Sequence, residues 1–243
     1  MPRMRSLVPD AFVCVDEAEV ADYLAFVPKS KIIPHPPLGS LARIRNWILN
    51  SLSEPTIVMI DDDLVRVRTV FTHSKKSIRD PESILDIIEN SMAAAQDCGA
   101  GVFSWMMIDN PFLLSIPPDF APIKMNGVIS GSFGLLGRAR QTRRFDERMI
   151  GKADFDFTLE TLRVDRFMLV DSRYQFNHAR VFGGQGGNVG LIDQAAGERT
   201  NLLMRKKWGH YFSNSKPNYV KKGQERSEGF RLMVRRHNPR AAH

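Results

Sequence analysis

Apolar and polar positions along this chain switch between a period near two residues and a period near 3.6, and each switch predicts an element. Residues 11–15, AFVCV, read as a strand, and 16–27, DEAEVADYLAFV, as a short helix behind it. Prolines punctuate 28–39, PKSKIIPHPPLG, as a loop carrying at most one strand. Ser40 is placed to cap the next helix, because Leu41, Ile44, Trp47, Ile48 and Leu52 follow at helical spacing. The apolar run Ile57, Val58, Met59 and Ile60 then has the length and branching of a strand covered on both faces. It runs straight into Asp61, Asp62 and Asp63, after which the alternation of LVRVRTVF predicts a half-exposed strand beyond a tight bend.

Asp80-Pro81 opens a further helix with Ile84, Ile87, Ile88 and Met92 on its inner face and Gly99 beyond its end. GVFSWMMI reads as a strand, PFLLSIPPDFAPIKM as a proline-rich loop, and GVISGSFGLLG as a glycine-punctuated strand. The stretch KADFDFTLETLRVDRFMLVDSRYQF reads as helix then strand, followed by FGGQGGN and a basic helix through RTNLLMRKKWGHYF. Helices and strands alternate at first and strands dominate later, an order that fits an α/β sandwich with a mixed sheet. No internal repeat is visible.

Composition changes this picture in two places. With 243 residues and 43% hydrophobic content, the chain can build a substantial core, predicted as one domain with a tail. No apolar run approaches the roughly 20 residues of a membrane span, and MPRMRSLVPDAF lacks a signal-peptide core, so a cytoplasmic location is expected. Cys14 and Cys98 have no metal spacing and no disulfide framework, and both read as reduced and packed.

The net charge of +7 is unevenly distributed. Residues 195–243 hold 12 Lys+Arg and 3 Asp+Glu, or +9, which leaves 22 against 24, or −2, elsewhere. Trp208, Tyr211, Phe212, Tyr219 and Phe230 interleave with these cations. Cations for phosphates with rings for bases suit a nucleic-acid surface, and a merely solvated basic tail explains the charge equally well.

Three groups could carry chemistry. On an extended chain Asp61 and Asp63 share a face, giving half of a hard-cation site at a strand end where open α/β sheets bind ligands. A charged turn is the bland alternative. Asp154, Asp156 and Glu160 form a second acidic group, in which Asp154 lies near a helix N-terminus and Asp156 shares a face with Glu160. Asp154 or Asp156 could deprotonate an acceptor hydroxyl, or simply cap the helix. Gly183 and Gly184, in GGQGGN, could bring backbone amides close to a phosphate, or form a plain turn. That segment lacks P-loop and G-x-G-x-x-G spacing, which argues against kinase and dinucleotide readings. His178 could complete a metal sphere, with His210 as its competitor.

Together these features resemble a GT-A glycosyltransferase, carried by EAEVADY, GSLARIRNWIL, IVMIDDDL, GSFGLLG and DFDFTLETL. Within that fold the chain is most similar to the phage TET-associated glycosyltransferases, linked to DNA 5-methylcytosine dioxygenases. The resemblance implies a three-layer sandwich with a mixed, mainly parallel sheet over 1–194. A basic helix and tail over 195–243 would pack on that domain or extend from it. It further implies transfer of a sugar from a nucleotide-diphosphate donor, with Mn or Mg, to a hydroxyl, favouring 5-hydroxymethylcytosine in DNA. Asp61, Asp63 and His178 would then hold the metal. Asp61, Arg43 and Arg45 would meet the donor, although both arginines could equally be solvated on an amphipathic helix. Lys206, Lys207 and Trp208 would face DNA. A GT-A enzyme acting on a bacterial glycan or protein, and an inactive DNA-binding relative, stand as alternatives. A GT-A fold opens with a strand and loop for the nucleotide base, yet about a dozen residues precede FVCV, so MPRMRSL does that work in short form or the element is missing.

Overall fold

The computed structural model describes residues 2–70, 77–106, 121–129, 131–178, 194–215 and 229–232. They fall into two units, 1–192 and 193–243.

The first unit opens with helix α1 (Pro2–Leu7), strand β1 (Val13–Asp16), the short helix α2 (Val20–Tyr23) and strand β2 (Ile32–His35). Met4 and Leu7 are buried in the main core, so the N-terminal stretch is a packing helix. Strands β1 and β2 pair in parallel as a separate two-stranded sheet, with Val13, Val15 and Val27 as its own small core. Helix α3 (Leu41–Ser51) follows, with the Ser40 hydroxyl accepting from Arg43 N at 3.4 Å. Then come β3 (Thr56–Ile60), β4 (Leu64–Thr69), β5 (Ser77–Ile78), α4 (Pro81–Asp97), β6 (Val102–Met106) and β7 (Ile123–Lys124). Asp80 caps α4 through Ser83 N at 3.0 Å, and Gly99 beyond its end takes φ +71°, a conformation that favours glycine. The unit closes with β8 (Ser132–Leu136), α5 (Gly137–Thr142), α6 (Ala153–Asp165) and β9 (Leu169–His178).

The main sheet runs β3-β8-β6-β9-β4-β5, with β7 beside β9. Its character differs from the mainly parallel sheet expected: β6 and β9 are its only parallel neighbours among the described residues, and its other pairings are antiparallel. The burial of β3 alternates, so it is half-covered at one end of the strand order rather than buried on both faces. Strands β3 and β4 are joined by only three residues, although three other strands lie between them in that order. A sheet meeting both conditions must curl, and the aspartate turn bridges the curl.

Alternation along β8 separates two faces. Leu136 lies in the core with Ile84, Ile87 and Ile88 of α4 and with Phe103, Trp105 and Phe176. Phe133 points the other way, with ring centroids 5.9 Å from Phe145 and 6.2 Å from Phe157 of α6, while Phe145 and Phe157 stack at 4.3 Å. Gly134 is needed between them, because a Cβ there would stand 2.2 Å from Phe103 Cε1.

The buried face of α3 is not the apolar stripe that periodicity picks out. Ala42, Arg45, Asn46 and Leu49 are buried, while Leu41, Ile44, Trp47 and Ile48 are half-buried. Two features hold this orientation. The Arg140 guanidinium donates to Leu49 O at 2.8 Å and to Leu52 O at 2.5 Å at the helix end. The Asn46 amide donates to Phe145 O at 2.9 Å and accepts from Phe145 N at 2.8 Å.

The second unit contains α7 (Gln194–Trp208), β10 (Phe212–Ser215) and β11 (Gly229–Leu232). Strands β10 and β11 pair antiparallel, so the segment is more than a helix and tail. Of the cysteines, Cys14 is half-buried and Cys98 is exposed, so Cys98 is not packed as expected.

Candidate active site

The three aspartates form a turn rather than an extended segment, with Leu64 N bonded to Asp61 O at 3.3 Å. The alternation argument therefore does not set their directions, and Asp61 and Asp63 take different partners. Asp61 is anchored to β8 by its N–H, which donates to Gly131 O at 2.7 Å. Its carboxylate receives Arg45 Nη2 at 2.9 Å on Oδ1 and 3.1 Å on Oδ2. The Arg45 side chain is 6% exposed and that of Asp61 31%. The guanidinium also lies over Phe133 at 5.1 Å and Phe145 at 5.3 Å, an aromatic seat that favours a desolvated cation. Asn46 fixes one wall of that seat by holding the Phe145 backbone.

Asp63 takes a different partner. His178 Nδ1 lies 2.7 Å from Asp63 Oδ1, and the ring's Nε2 lies 2.9 Å from the Ser132 hydroxyl. A carboxylate accepts only, so Nδ1 carries the proton shared with Asp63. Both imidazole nitrogens are engaged as the chain stands.

Gly131 lies between Asp61 and His178. A Cβ there would stand 2.8 Å from Asp61 Oδ2, 2.8 Å from His178 Cε1 and 2.9 Å from His178 Nδ1. The bare backbone there is what lets the Asp61 carboxylate and the His178 imidazole approach it this closely. Among the described residues no cluster of three or more His, Cys, Asp or Glu side chains is arranged to hold a metal ion. The two carboxylates of the turn are each already paired, Asp61 with Arg45 and Asp63 with His178.

The second acidic group divides. Asp154, in the first turn of α6, has its carboxyl pushed up, first by burial and further by the Asp61 charge. The Phe155 and Asp154 N–H groups and the Arg45 guanidinium oppose that shift. Asp154 thus shares an electrostatic environment with Arg45 and Asp61, residues far from it in sequence. Asp156 is buried and interacts with the Arg148 charge, and Glu160 is bound by Arg163 at 2.6 and 3.0 Å.

The remaining sequence candidates lie elsewhere. Arg43 is exposed, its Nε 3.4 Å from Glu147, beside a cleft with Trp47 and Asn50. Gly183 and Gly184 lie outside the described residues, as does the side chain of His210. Lys206 and Lys207 of α7 are exposed, with Lys207 Nζ 5.4 Å from the centre of the Trp208 ring. Trp208 is 4% exposed, so the lysines are the residues of this trio that reach solvent. Ser132, Gly131, Asn46 and Phe145 enter the site without having been singled out. Gly131 and Ser132 fall within GSFGLLG, which pointed only to a strand.

No helix among the described residues is long and apolar enough to cross a membrane. No curated protein matches the chain. The sequence model of the TET-Associated Glycosyltransferase family matches residues 5–187, which span β1 to β9 and every residue of the site just described. The chain belongs to that family and is a glycosyltransferase.

Proposed function

We propose that this member of the TET-Associated Glycosyltransferase family moves a sugar from a nucleotide-diphosphate donor to a hydroxyl, with 5-hydroxymethylcytosine in DNA as the favoured acceptor. The observation that carries the reading is the Arg45–Asp61 pair beside the Asp63–His178 pair, on elements distant in sequence, with Asp154 within reach of the Arg45 and Asp61 charges. The family's link to TET dioxygenases and the +9 charge of residues 195–243 support the choice of DNA as acceptor.

Transfer forms a bond from the acceptor oxygen to the sugar's anomeric carbon and breaks the bond from that carbon to the diphosphate. The acceptor proton goes to a base, and the diphosphate leaves with the electron pair. Asp154 is the proposed base: its raised proton affinity makes it a better one than a solvated aspartate. Arg45, desolvated and seated on two rings, meets the charge that develops on the leaving group. Asp61 and Asp63, with oxygens of the donor, are the residues that would hold a divalent cation, whose charge would neutralise the diphosphate. His178 keeps Asp63 oriented through Nδ1 and is itself braced by Ser132.

The test is mass spectrometry of nucleosides from hydroxymethylcytosine DNA incubated with the protein, Mn²⁺ and a pool of nucleotide sugars, alongside Asp63→Ala. A sugar-sized mass gain that disappears in the variant is expected. No gain on DNA, with transfer to a glycan or protein acceptor instead, would overturn the acceptor assignment.

A further inference from the structure

The face of α3 turned away from Arg45 carries groups that the transfer site does not use. Arg43, Asn46, Trp47 and Asn50 recur at helical spacing and, with Leu38 and Glu147, line an open cleft. At 3.6 residues per turn, Arg45 points about 160° away from both Arg43 and Trp47. The cleft and the Arg45–Asp61 pair therefore lie on opposite sides of one helix.

Several groups at the cleft are held in place. Trp47 is half-buried, and its ring lies 5.9 Å from that of the buried His35, so protein backs one side of the indole. Glu147 accepts from the Asn46 amide at 2.9 Å and lies 3.4 Å from Arg43 Nε, which fixes a carboxylate at the rim. Asn50 accepts from Arg144 Nε at 2.8 Å, which brings a second arginine beside the cleft.

The partners of Arg144 are all neutral oxygens: Asn50 Oδ1 and the carbonyls of Arg140, Gln141 and Arg143, the last at 2.7 Å. Its Nη2 has no partner among the described residues. Burial and the nearby Arg140 charge hold the guanidinium below its ordinary value, with no carboxylate opposing them. A cation fixed by dipoles, with one nitrogen open and no counter-ion, is placed to receive an anion. The surrounding charge has the same sign, since residues 137–152 hold six Lys+Arg against two Asp+Glu, or +4.

We propose that this cleft is a further contact for the DNA strand and seats one nucleotide beyond the acceptor: its base stacks on Trp47, an amino group at the base edge meets Glu147, and its phosphate takes Arg144 Nη2. This rests on the reading of DNA as the acceptor.

Each group in the lining answers to one part of a nucleotide. A bare phosphate has no use for an indole, and the Glu147 carboxylate repels it. A base offers a π-face to the indole and, in cytosine, adenine and guanine, an amino donor to the carboxylate. The sugar donor also contains a nucleotide, but its diphosphate is read at Arg45, across the helix. A strand runs on past α3, whereas the donor ends at its base. The helix is about 10–12 Å thick and phosphates repeat about every 3.4 Å along a duplex strand, so the seated nucleotide is about three steps from the acceptor.

The experiment measures binding of fluorescein-labelled single-stranded hydroxymethylcytosine DNA by anisotropy across a range of salt, on the full chain without donor. It compares wild type with Trp47→Leu, Arg144→Gln and Arg144→Lys. Trp47→Leu is expected to weaken binding at least about fivefold, the lower end of what one stacked base contributes. Arg144→Gln should lower the slope of log affinity against log salt by about 0.7, one phosphate on a single strand, while Arg144→Lys keeps it. Affinity for a nucleoside diphosphate, measured by calorimetry on the same samples, should not change. DNA affinity and salt slope equal to wild type in both Trp47→Leu and Arg144→Gln overturn the proposal. So does a loss confined to the nucleoside diphosphate, which would give the cleft to the donor. Binding is read without transfer, so variants that lose DNA affinity in a protein that transfers no sugar to DNA support the cleft and overturn only the acceptor assignment. If Trp47→Leu does not fold, wild-type fluorescence decides. Trp105 and Trp208 are 1% and 4% exposed, so stacking should quench Trp47, and emission unchanged at saturating DNA overturns the proposal.

Discussion

Arg45 and Asp61 are 16 residues apart in sequence and meet at 2.9 Å, a cation from the buried face of a helix and a carboxylate from the turn closing a curled sheet. The pair is asymmetric, because the arginine is desolvated and the aspartate is nearly one-third exposed. Losing one partner is therefore not equivalent to losing the other.

Asp61→Ala strands a buried guanidinium and should cost about 2–3 kcal/mol, less than a fully buried pair because water reaches this site. Arg45→Met leaves only a carboxylate that can hydrate, and places an apolar chain on the rings of Phe133 and Phe145, so its cost should stay below about 1 kcal/mol. Urea denaturation of the two variants checks the order. Equal losses would contradict it.

Two glycines of neighbouring position separate site from scaffold. A Cβ at Gly134 would meet the Phe103 ring at 2.2 Å, and the core beneath it is closely packed. Gly134→Ala should cost about 1–3 kcal/mol or more through overpacking. At Gly131 the added methyl meets Asp61 Oδ2 and His178, polar groups at the rim of the site. Gly131→Ala should fold with the smaller stability loss and the larger loss of transfer, as thermal denaturation and activity measured side by side would show.

The carboxyl of Asp154 is pushed above its ordinary 3.8, chiefly by burial. A raised carboxyl contributes stability below the unfolded value, and that contribution is lost as pH rises through the folded value. Asp154→Asn removes the ionisation, so it should match wild type in acid and become the more stable protein once pH passes the raised value. Urea midpoints across that range test this. A difference that does not change with pH would contradict it.

The thiols should differ in reactivity. Burial pushes the Cys14 thiol up to about 11, whereas Cys98 is exposed. Since the thiolate is the reactive form, a disulfide reagent at neutral pH should label Cys98 first and Cys14 only slowly. Mass mapping of the modified peptides decides.

How much of this was legible in the sequence depended on range. Local signals placed α3, α4 and the aspartate strand well: Ser40 and Asp80 cap where they were expected to, and Gly99 ends α4 with positive φ. The face of α3 was not legible. Leu41, Ile44, Trp47 and Ile48 repeat at helical spacing, but the helix turns Arg45 and Asn46 inward because their partners are Asp61 and Phe145, which no local period encodes. Strand direction failed for the same reason, since β3 pairs with β8 from Thr56–Leu136 to Ile60–Ser132, far beyond the roughly 11–18-residue windows that reveal periodicity. Asp61, Asp63, Arg45, Asp154 and His178 could be picked out by residue type. Gly131 and Ser132 could not, because their contribution is a missing Cβ and a brace, visible only once the strands are paired.

The most direct test of the site is single-turnover sugar transfer to hydroxymethylcytosine DNA by Asp154→Asn against wild type, with donor affinity measured on the same samples. If Asp154 takes the acceptor proton beside Arg45 and Asp61, the rate should fall by about 10²–10⁴ while donor affinity holds within about twofold. A rate near that of wild type would remove Asp154 from the chemistry, and with it the claim that these three residues form the transfer site.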